Sequence, residues 1–176
     1  ERRDHAVWND NGLVTVSGGK LTTFRLIALD AINAAKVTLG SLEAKESNDA
    51  VFNATVITAD ELNVPNKKWA QRLIGRYGQH AKTLLDQASE EEKQPIESTA
   101  FCLAECRWAA RNESVLHLDD LLLRRTRLGL VLEKGGEALF PEMQKICAEE
   151  LHWDDGRWLS EVARYRAIWR KHYSLP

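Results

Sequence analysis

The sequence has one methionine, Met143, and none at its start; it opens on charged residues, "ERRDH". That absence predicts a fragment excised from a longer polypeptide. No apolar run approaches the roughly 20 residues a membrane-spanning helix needs, and no secretory leader is recognisable. A basic excess is also missing. The 24 Lys and Arg against 26 Asp and Glu give a formal charge of −2, which argues against a dedicated nucleic-acid binder. Cysteine is scarce and odd in number: Cys102, Cys106 and Cys147 form no CxxC pair, and the five histidines do not complete a metal-ligand set. Cys102 and Cys106 stand i, i+4 on one helix face beside Phe101, Leu103 and Ala104, so buried free thiols in a reducing compartment are expected. There is no GxGxxG fingerprint, no internal repeat and no low-complexity tract.

What is present is the composition of a globular protein: 176 residues, 44% hydrophobic and 28% charged. That length suits one domain, or a small domain with a piece of another. Residues 1–40 differ from the rest. Leu13-Val14-Thr15-Val16 reads as a strand, and "HAVWND" before it as a second strand joined by an Asp10-Asn11-Gly12 turn. After Lys20 the period changes. Phe24, Ile27, Ala28, Ala31, Ile32 and Ala35 mark the apolar stripe of a helix.

Residues 41–57 read as a polar linker, with a short extended piece at Thr55-Val56-Ile57. From residue 58 onward everything reads as helix. Asn66 caps one helix that carries Trp69, Leu73 and Tyr77 on one face and stops at Gly78. "HAKTLLDQASEE" makes the next, and another begins at a Ser98 cap. "LDDLLLRRTRLGL" forms a fourth, capped by Asp119 or Asp120 and ending at Gly129. Beyond Gly135-Gly136 come "ALFPEMQKICAEELHW" and a last helix opened by Asp154-Asp155, where the helix dipole favours acids. Its buried side is expected to hold Trp158, Leu159, Val162, Tyr165, Ile168, Trp169 and Tyr173. The expected fold is mainly α: a bundle of five or six helices preceded by a strand-turn-helix segment.

The strand-to-helix junction Gly18-Gly19-Lys20 is the chemical signal. It is not a nucleotide-triphosphate loop, because Val14 stands where the first glycine must be and Leu21 where Ser or Thr must follow the lysine. Two glycines allow close backbone approach, the following helix start offers unpaired N–H groups, and Lys20 adds a charge. Such a corner suits an oxygen bearing negative charge. A tight turn with a solvated lysine is the plain alternative, and both stay open on the residues alone.

Two longer patterns carry a resemblance. "Arg2-Arg3-Asp4-His5", then "Gly18-Gly19-Lys20-Leu21-Thr22-Thr23-Phe24-Arg25", resemble the end of the flavin domain of FAD-dependent glycerol-3-phosphate dehydrogenases; Arg2 replaces the usual serine and Phe24 the usual tyrosine. In residues 104–130, Arg111, Glu113, Leu118, Asp120, Leu122, Arg124, Arg125, Thr126, Arg127 and Leu128 resemble in order the helical carboxy-terminal domain of that family. Arg76-Tyr77-Gly78 resembles its first helix pair.

The resemblance implies that residues 1–40 end an α/β flavin domain and residues 58–176 form a helical carboxy-terminal domain. It implies an oxidoreductase converting sn-glycerol 3-phosphate to dihydroxyacetone phosphate with FAD. Arg3 would grip the substrate phosphate. Lys20 would act as the catalytic cation beside flavin and substrate. Gly18, Gly19, Lys20, Leu21, Thr22 and Thr23 would contact the cofactor, and His5 would either join that site or simply pack. The implied partners are the missing amino-terminal FAD domain, glycerol 3-phosphate, a quinone or other electron acceptor, and a second copy as a homodimer; nucleic acid is not expected. The location implied is cytoplasmic, with a peripheral place at the inner face of the cell membrane as its variant. The fragment itself is expected to be inactive and to hold FAD weakly or not at all.

A competing reading is a freestanding helical module that binds a protein or nucleic acid through Arg124–Arg127 or the basic last helix. Spacings such as Asp120–Arg124 favour ion pairs between helices instead. Asp119 and Asp120 have no histidine or nucleophile at helpful spacing, so helix capping is preferred over acid–base work.

Overall fold

The computed structural model describes residues 4–40, 50, 56–64, 66–97 and 99–174. Arg3, the Ser98 cap and most of the linker 41–57 lie outside the described residues. Of the extended piece expected there, Val56 and Ile57 belong to no strand. The chain divides into two compact units, Glu1–Asn53 and Ala54–Pro176.

In the first unit, β1 (His5–Asp10) pairs antiparallel with β2 (Leu13–Gly18), in the register His5 with Gly18 and Asp10 with Leu13. The turn uses Asn11 at φ 50° and Gly12 at φ 91°, the left-handed pair that suits a two-residue hairpin. A single 3-10 turn, Leu21–Thr23, then leads into α1 (Phe24–Leu39). The Asn9 amide ties β1 to α1 by donating to Ala34 O and to Thr38 Oγ1, each at 3.1 Å.

The expected apolar stripe of α1 is only partly covered. Ile27, Ala31 and Ala35 are half-buried, whereas Phe24, Ala28 and Ile32 are exposed, and no residue of α1 is fully buried. Trp8, Leu13, Leu26, Val37 and Leu39 are exposed as well. A lone hairpin can cover only one face of a helix, and an isolated two-stranded sheet is itself marginal in water.

The second unit holds α2 (Lys67–Tyr77), α3 (His80–Asp86), α4 (Leu103–Asn112), the short α5 (Leu128–Val131), α6 (Phe140–Leu151) and α7 (Asp155–His172). Asn66 caps α2 through its carbonyl oxygen, which accepts the amides of Lys68 at 3.0 Å and Trp69 at 3.2 Å. Gly78 ends that helix at φ 57°. Asp154 caps α7 by accepting the Arg157 amide at 2.7 Å.

Two apolar clusters share α4. On one side Cys102 and Ala104 pack with Leu73, Tyr77, Ala81, Leu84 and Leu85 of α2 and α3. On the other, Cys106, Ala109 and Ala110 meet Met143 and Ile146 of α6 and Trp158, Val162 and Tyr165 of α7. All three cysteines are buried and free. Burial holds the thiols of Cys102 and Cys147 up to about 12, so they stay protonated and inert.

Three expectations are corrected. The helix expected from Ser98 starts at Leu103, because Ile96 and Phe101 close a turn (Ile96 N to Phe101 O, 2.8 Å) and Glu105 Oε2 accepts the Cys102 amide at 3.1 Å. The segment 118–130 is no single helix. It runs as a π turn, Asp120–Arg125, in which Thr126 bonds back to Leu121 O through both amide and hydroxyl, and Arg127 at φ 60° breaks it. Leu121, Leu122 and Leu123 are all buried there, so packing on every side overrides the helical period. On α7, Leu159 and Tyr173 are exposed, and the buried polar Glu161 takes a place among the core residues.

Candidate functional site

The Gly18–Thr23 corner follows from the hairpin. Gly18 closes β2 opposite His5 at φ 79°, and a Cβ there would stand 2.7 Å from Asp4 O. Gly19 follows at φ 85°, where a Cβ would stand 2.6 Å from Ile27 Cδ1 and 3.1 Å from His5 Cβ. Both positions demand glycine for conformation and for space.

Lys20 is then extended, at φ −123° and ψ 152°, with its side chain in the solvent. Thr23 closes the turn: its hydroxyl donates to Lys20 O at 3.0 Å and its amide bonds the same oxygen at 3.0 Å. Leu21 and Thr22 open the 3-10 turn, where helix geometry supplies no acceptor for their amides, and both residues are exposed. The corner therefore offers two amides without an intrahelical acceptor, on exposed residues, and an ammonium. These residues fit an electron-rich ring edge or an anionic oxygen laid against them. A solvated turn has the same geometry, since the packing of the hairpin on α1 itself demands both glycines and every helix start leaves its first amides without an intrahelical acceptor.

His5, left between site and packing, does something more specific. Its Nε2 lies 2.7 Å from Asp30 Oδ2 on α1. Asp30 was not singled out from sequence. The available signal was a polar residue at i+3 from Ile27, inside the face that α1 turns to the hairpin. Arg3 lies outside the described residues.

The buried carboxylates of the helical unit are all engaged in structure. Glu105 is fully buried and accepts from Arg72 at 2.9 and 3.0 Å, Tyr77 Oη at 3.0 Å and the Cys102 amide. Buried Asp119 bonds both Arg124 and Arg164. Buried Glu161 accepts the Leu118 amide, faces His117 Nδ1 at 3.0 Å and pairs with Arg157 at 2.9 Å. Arg107 joins Glu92, Glu149 and Glu150, and Arg111 holds Glu150 down to about 2 despite its burial. Asp120 accepts the amides of Leu116 and His117, and these outweigh its burial so that its carboxyl is lowered. Within the cluster 124–127, Arg124 is an ion-pair residue, as the spacing suggested for Asp120 and Arg124, while Arg125 and Arg127 are exposed.

A cavity of about 620 Å³ lies among Leu62, Trp69, Arg72, Leu85, Lys93 and Pro95. Arg72 and Lys93 face it, but they already bond Glu105 and Glu90. Among the described residues no cluster of His, Cys, Asp or Glu could hold a metal ion, and no helix is long and apolar enough to cross a membrane.

Residues 44–158 match the C-terminal domain of alpha-glycerophosphate oxidase. The chain belongs to that family. It is 31% identical over 94% of its length to glycerol-3-phosphate dehydrogenase 2 of Mycobacterium tuberculosis and covers 31% of that protein. The glycerol-3-phosphate dehydrogenase of Mycobacterium leprae matches with the same identity and the same shares. The mitochondrial glycerol-3-phosphate dehydrogenase SDP6 of Arabidopsis thaliana is 28% identical over 92% of the chain, which covers 30% of it. The chain thus spans about a third of the length of the curated relatives it matches. Matches over 94% of the chain take in most of residues 1–40, beyond the domain match that starts at residue 44. They agree with the resemblance seen in the motifs, and they do not favour a freestanding interaction module.

Proposed function

We propose that the chain is the carboxy-terminal part of an FAD-dependent oxidoreductase that converts sn-glycerol 3-phosphate to dihydroxyacetone phosphate, and that by itself it is inactive. Residues 1–40 would be the last strand-turn-helix segment of the flavin domain, 41–57 a linker and 58–176 the helical domain. The observation that carries this is the Gly18-Gly19-Lys20 corner, followed by the exposed Leu21 and Thr22 at the start of a helical turn, in a chain of this family. The uncovered apolar residues of the first unit, Trp8, Leu13, Leu26 and Val37, are what a segment of a larger layered domain would show.

In this reading FAD, when bound, supplies the chemistry by accepting a hydride from C2 of the substrate. The residues of this chain supply placement and charge. The amides of Leu21 and Thr22 would face the pyrimidine oxygen of the ring, and the Thr22 hydroxyl would add a contact. Thr23 would hold the turn that aims them. The Lys20 ammonium would sit where negative charge develops and stabilise it. Arg3 would hold the substrate phosphate with a two-pronged hydrogen bond.

We place the protein in the cytoplasm, in keeping with its free buried thiols. The basic α7 supports a membrane surface less well, since Arg157, Arg164 and Arg166 are bonded to Glu161, Asp119 and Glu137. The electron acceptor in this reading is a quinone or similar carrier, and a homodimer is the assembly to look for.

The test compares this chain with the complete coding sequence. The complete protein should retain FAD, and anaerobic glycerol 3-phosphate should bleach it; this chain alone should retain none. Tight, stoichiometric FAD on the chain alone, or a complete protein indifferent to glycerol 3-phosphate, would overturn the reading.

A further inference from the structure

We propose that the His5–Asp30 hydrogen bond is a positioning lock for the Gly18-Gly19-Lys20 corner, so that both residues influence the reaction through Lys20; this rests on the function proposed above. An ionised carboxylate can only accept, so His5 Nε2 carries the proton and donates to Asp30 Oδ2 at 2.7 Å. The bond closes a ring. Its path runs from His5 across the strand pair to Gly18, through Gly19 and Lys20, round the Leu21–Thr23 turn, along α1 to Asp30, and back. Lys20 stands at the vertex of that ring.

His5 also touches the corner directly. The space a Cβ would need at Gly19 is filled by Ile27 Cδ1, 2.6 Å away, and by His5 Cβ, 3.1 Å away. The base of the His5 side chain and Ile27 therefore flank Gly19 from two elements, and Asp30, one helical turn beyond Ile27, bonds the His5 imidazole. Another tether between β1 and α1, from Asn9 to Ala34 O and Thr38 Oγ1, lies at least one turn further along α1, about 6 Å away.

The same geometry argues against a purely stabilising role. The Asp30 side chain is 55% exposed and that of His5 21% exposed. A pair with one exposed partner adds only modestly to stability. Orientation is a different matter, since a shift of about 1 Å in a placed group costs up to roughly 100-fold in rate.

The experiment uses the complete flavoenzyme and reads kcat, KM for glycerol 3-phosphate and FAD content for His5→Ala, Asp30→Ala, His5→Gln and Lys20→Ala, singly and combined. His5→Ala and Asp30→Ala should each lower kcat by roughly 10- to 100-fold, with FAD content and KM changed less than about twofold. His5→Gln keeps a donor near the Nε2 position and should recover most of the loss. In the Lys20→Ala background, His5→Ala and Asp30→Ala should add nothing further, as expected of residues acting through one group. Losses that multiply in that background, or His5→Gln as slow as His5→Ala, would overturn the lock while leaving the function of Lys20 intact. A silent Lys20→Ala would overturn the reading beneath it, and the lock with it.

Discussion

Replacing Arg72 by alanine should destabilise the helical unit out of proportion to the exposure of that side chain. Glu105 on α4 is fully buried, and both of its oxygens receive Arg72 Nη1, at 2.9 and 3.0 Å. The Tyr77 hydroxyl at 3.0 Å and the Cys102 amide at 3.1 Å remain after the substitution, but they are neutral donors. Stranding a buried charge in this way costs about 3–5 kcal/mol. Loss of the guanidinium from the Phe101 ring, 4.2 Å away, adds about 0.5–1 kcal/mol. Urea unfolding followed by circular dichroism, compared at equal slope, measures the sum. The double variant Arg72→Ala/Glu105→Gln removes the stranded charge and keeps an acceptor for Tyr77 or Cys102. It should be more stable than Arg72→Ala alone by at least about 1 kcal/mol. A loss under about 1 kcal/mol for Arg72→Ala, or a double variant no better than the single, would refute the reasoning.

Gly129→Ala would drive a Cβ into the Tyr165 hydroxyl and to 2.9 Å from Leu123 Cδ2, and should lower the unfolding free energy by about 1–3 kcal/mol in the same assay. Acid should weaken the helical unit through Glu150. Hydrogen bonds from Arg111 hold its carboxyl near 2 against 4.5 in the free group, so its contribution is full above about pH 5 and is lost as pH falls through 2. Glu137, held low by Arg166, adds to the same trend. In Glu150→Gln the loss of melting temperature between pH 6 and pH 3 should shrink measurably. Gly19→Ala in the complete enzyme needs a left-handed φ of 85° and room that Ile27 and His5 occupy, so it should displace the Lys20 corner and lower turnover at least tenfold, read by dye-linked assay.

Local chemistry made much of this fold legible. The Asn11-Gly12 turn, the Asn66 and Asp154 caps and the Gly78 stop are short-range devices, and each sits where its residues suggested. What sequence patterning missed was decided by distant partners. Leu121-Leu122-Leu123 reads as helix, yet burial of all three and the Thr126 bonds to Leu121 O wind it as a π turn. The start of α4 depends on Glu105, whose role as acceptor is visible only once Arg72 and Tyr77 are brought beside it from α2. Leu159 fits the helical period of α7 but faces solvent, while Glu161 is drawn inside by the Leu118 amide and Arg157. At the corner itself, Gly18-Gly19-Lys20 was readable because glycine conformation is local. Asp30 was not, because one polar residue in an apolar stripe gives no hint of a histidine twenty-five positions earlier.

Lys20 is the residue on which the proposed chemistry turns. In the complete enzyme, purified with FAD, anaerobic stopped-flow mixing with glycerol 3-phosphate follows the decay of flavin absorbance. Lys20→Ala should retain the cofactor and slow that decay by roughly 100- to 1,000-fold, the loss typical of a removed charge-stabilising donor. An unchanged rate at full FAD occupancy would mean that the ammonium after the two glycines has no part in the reaction.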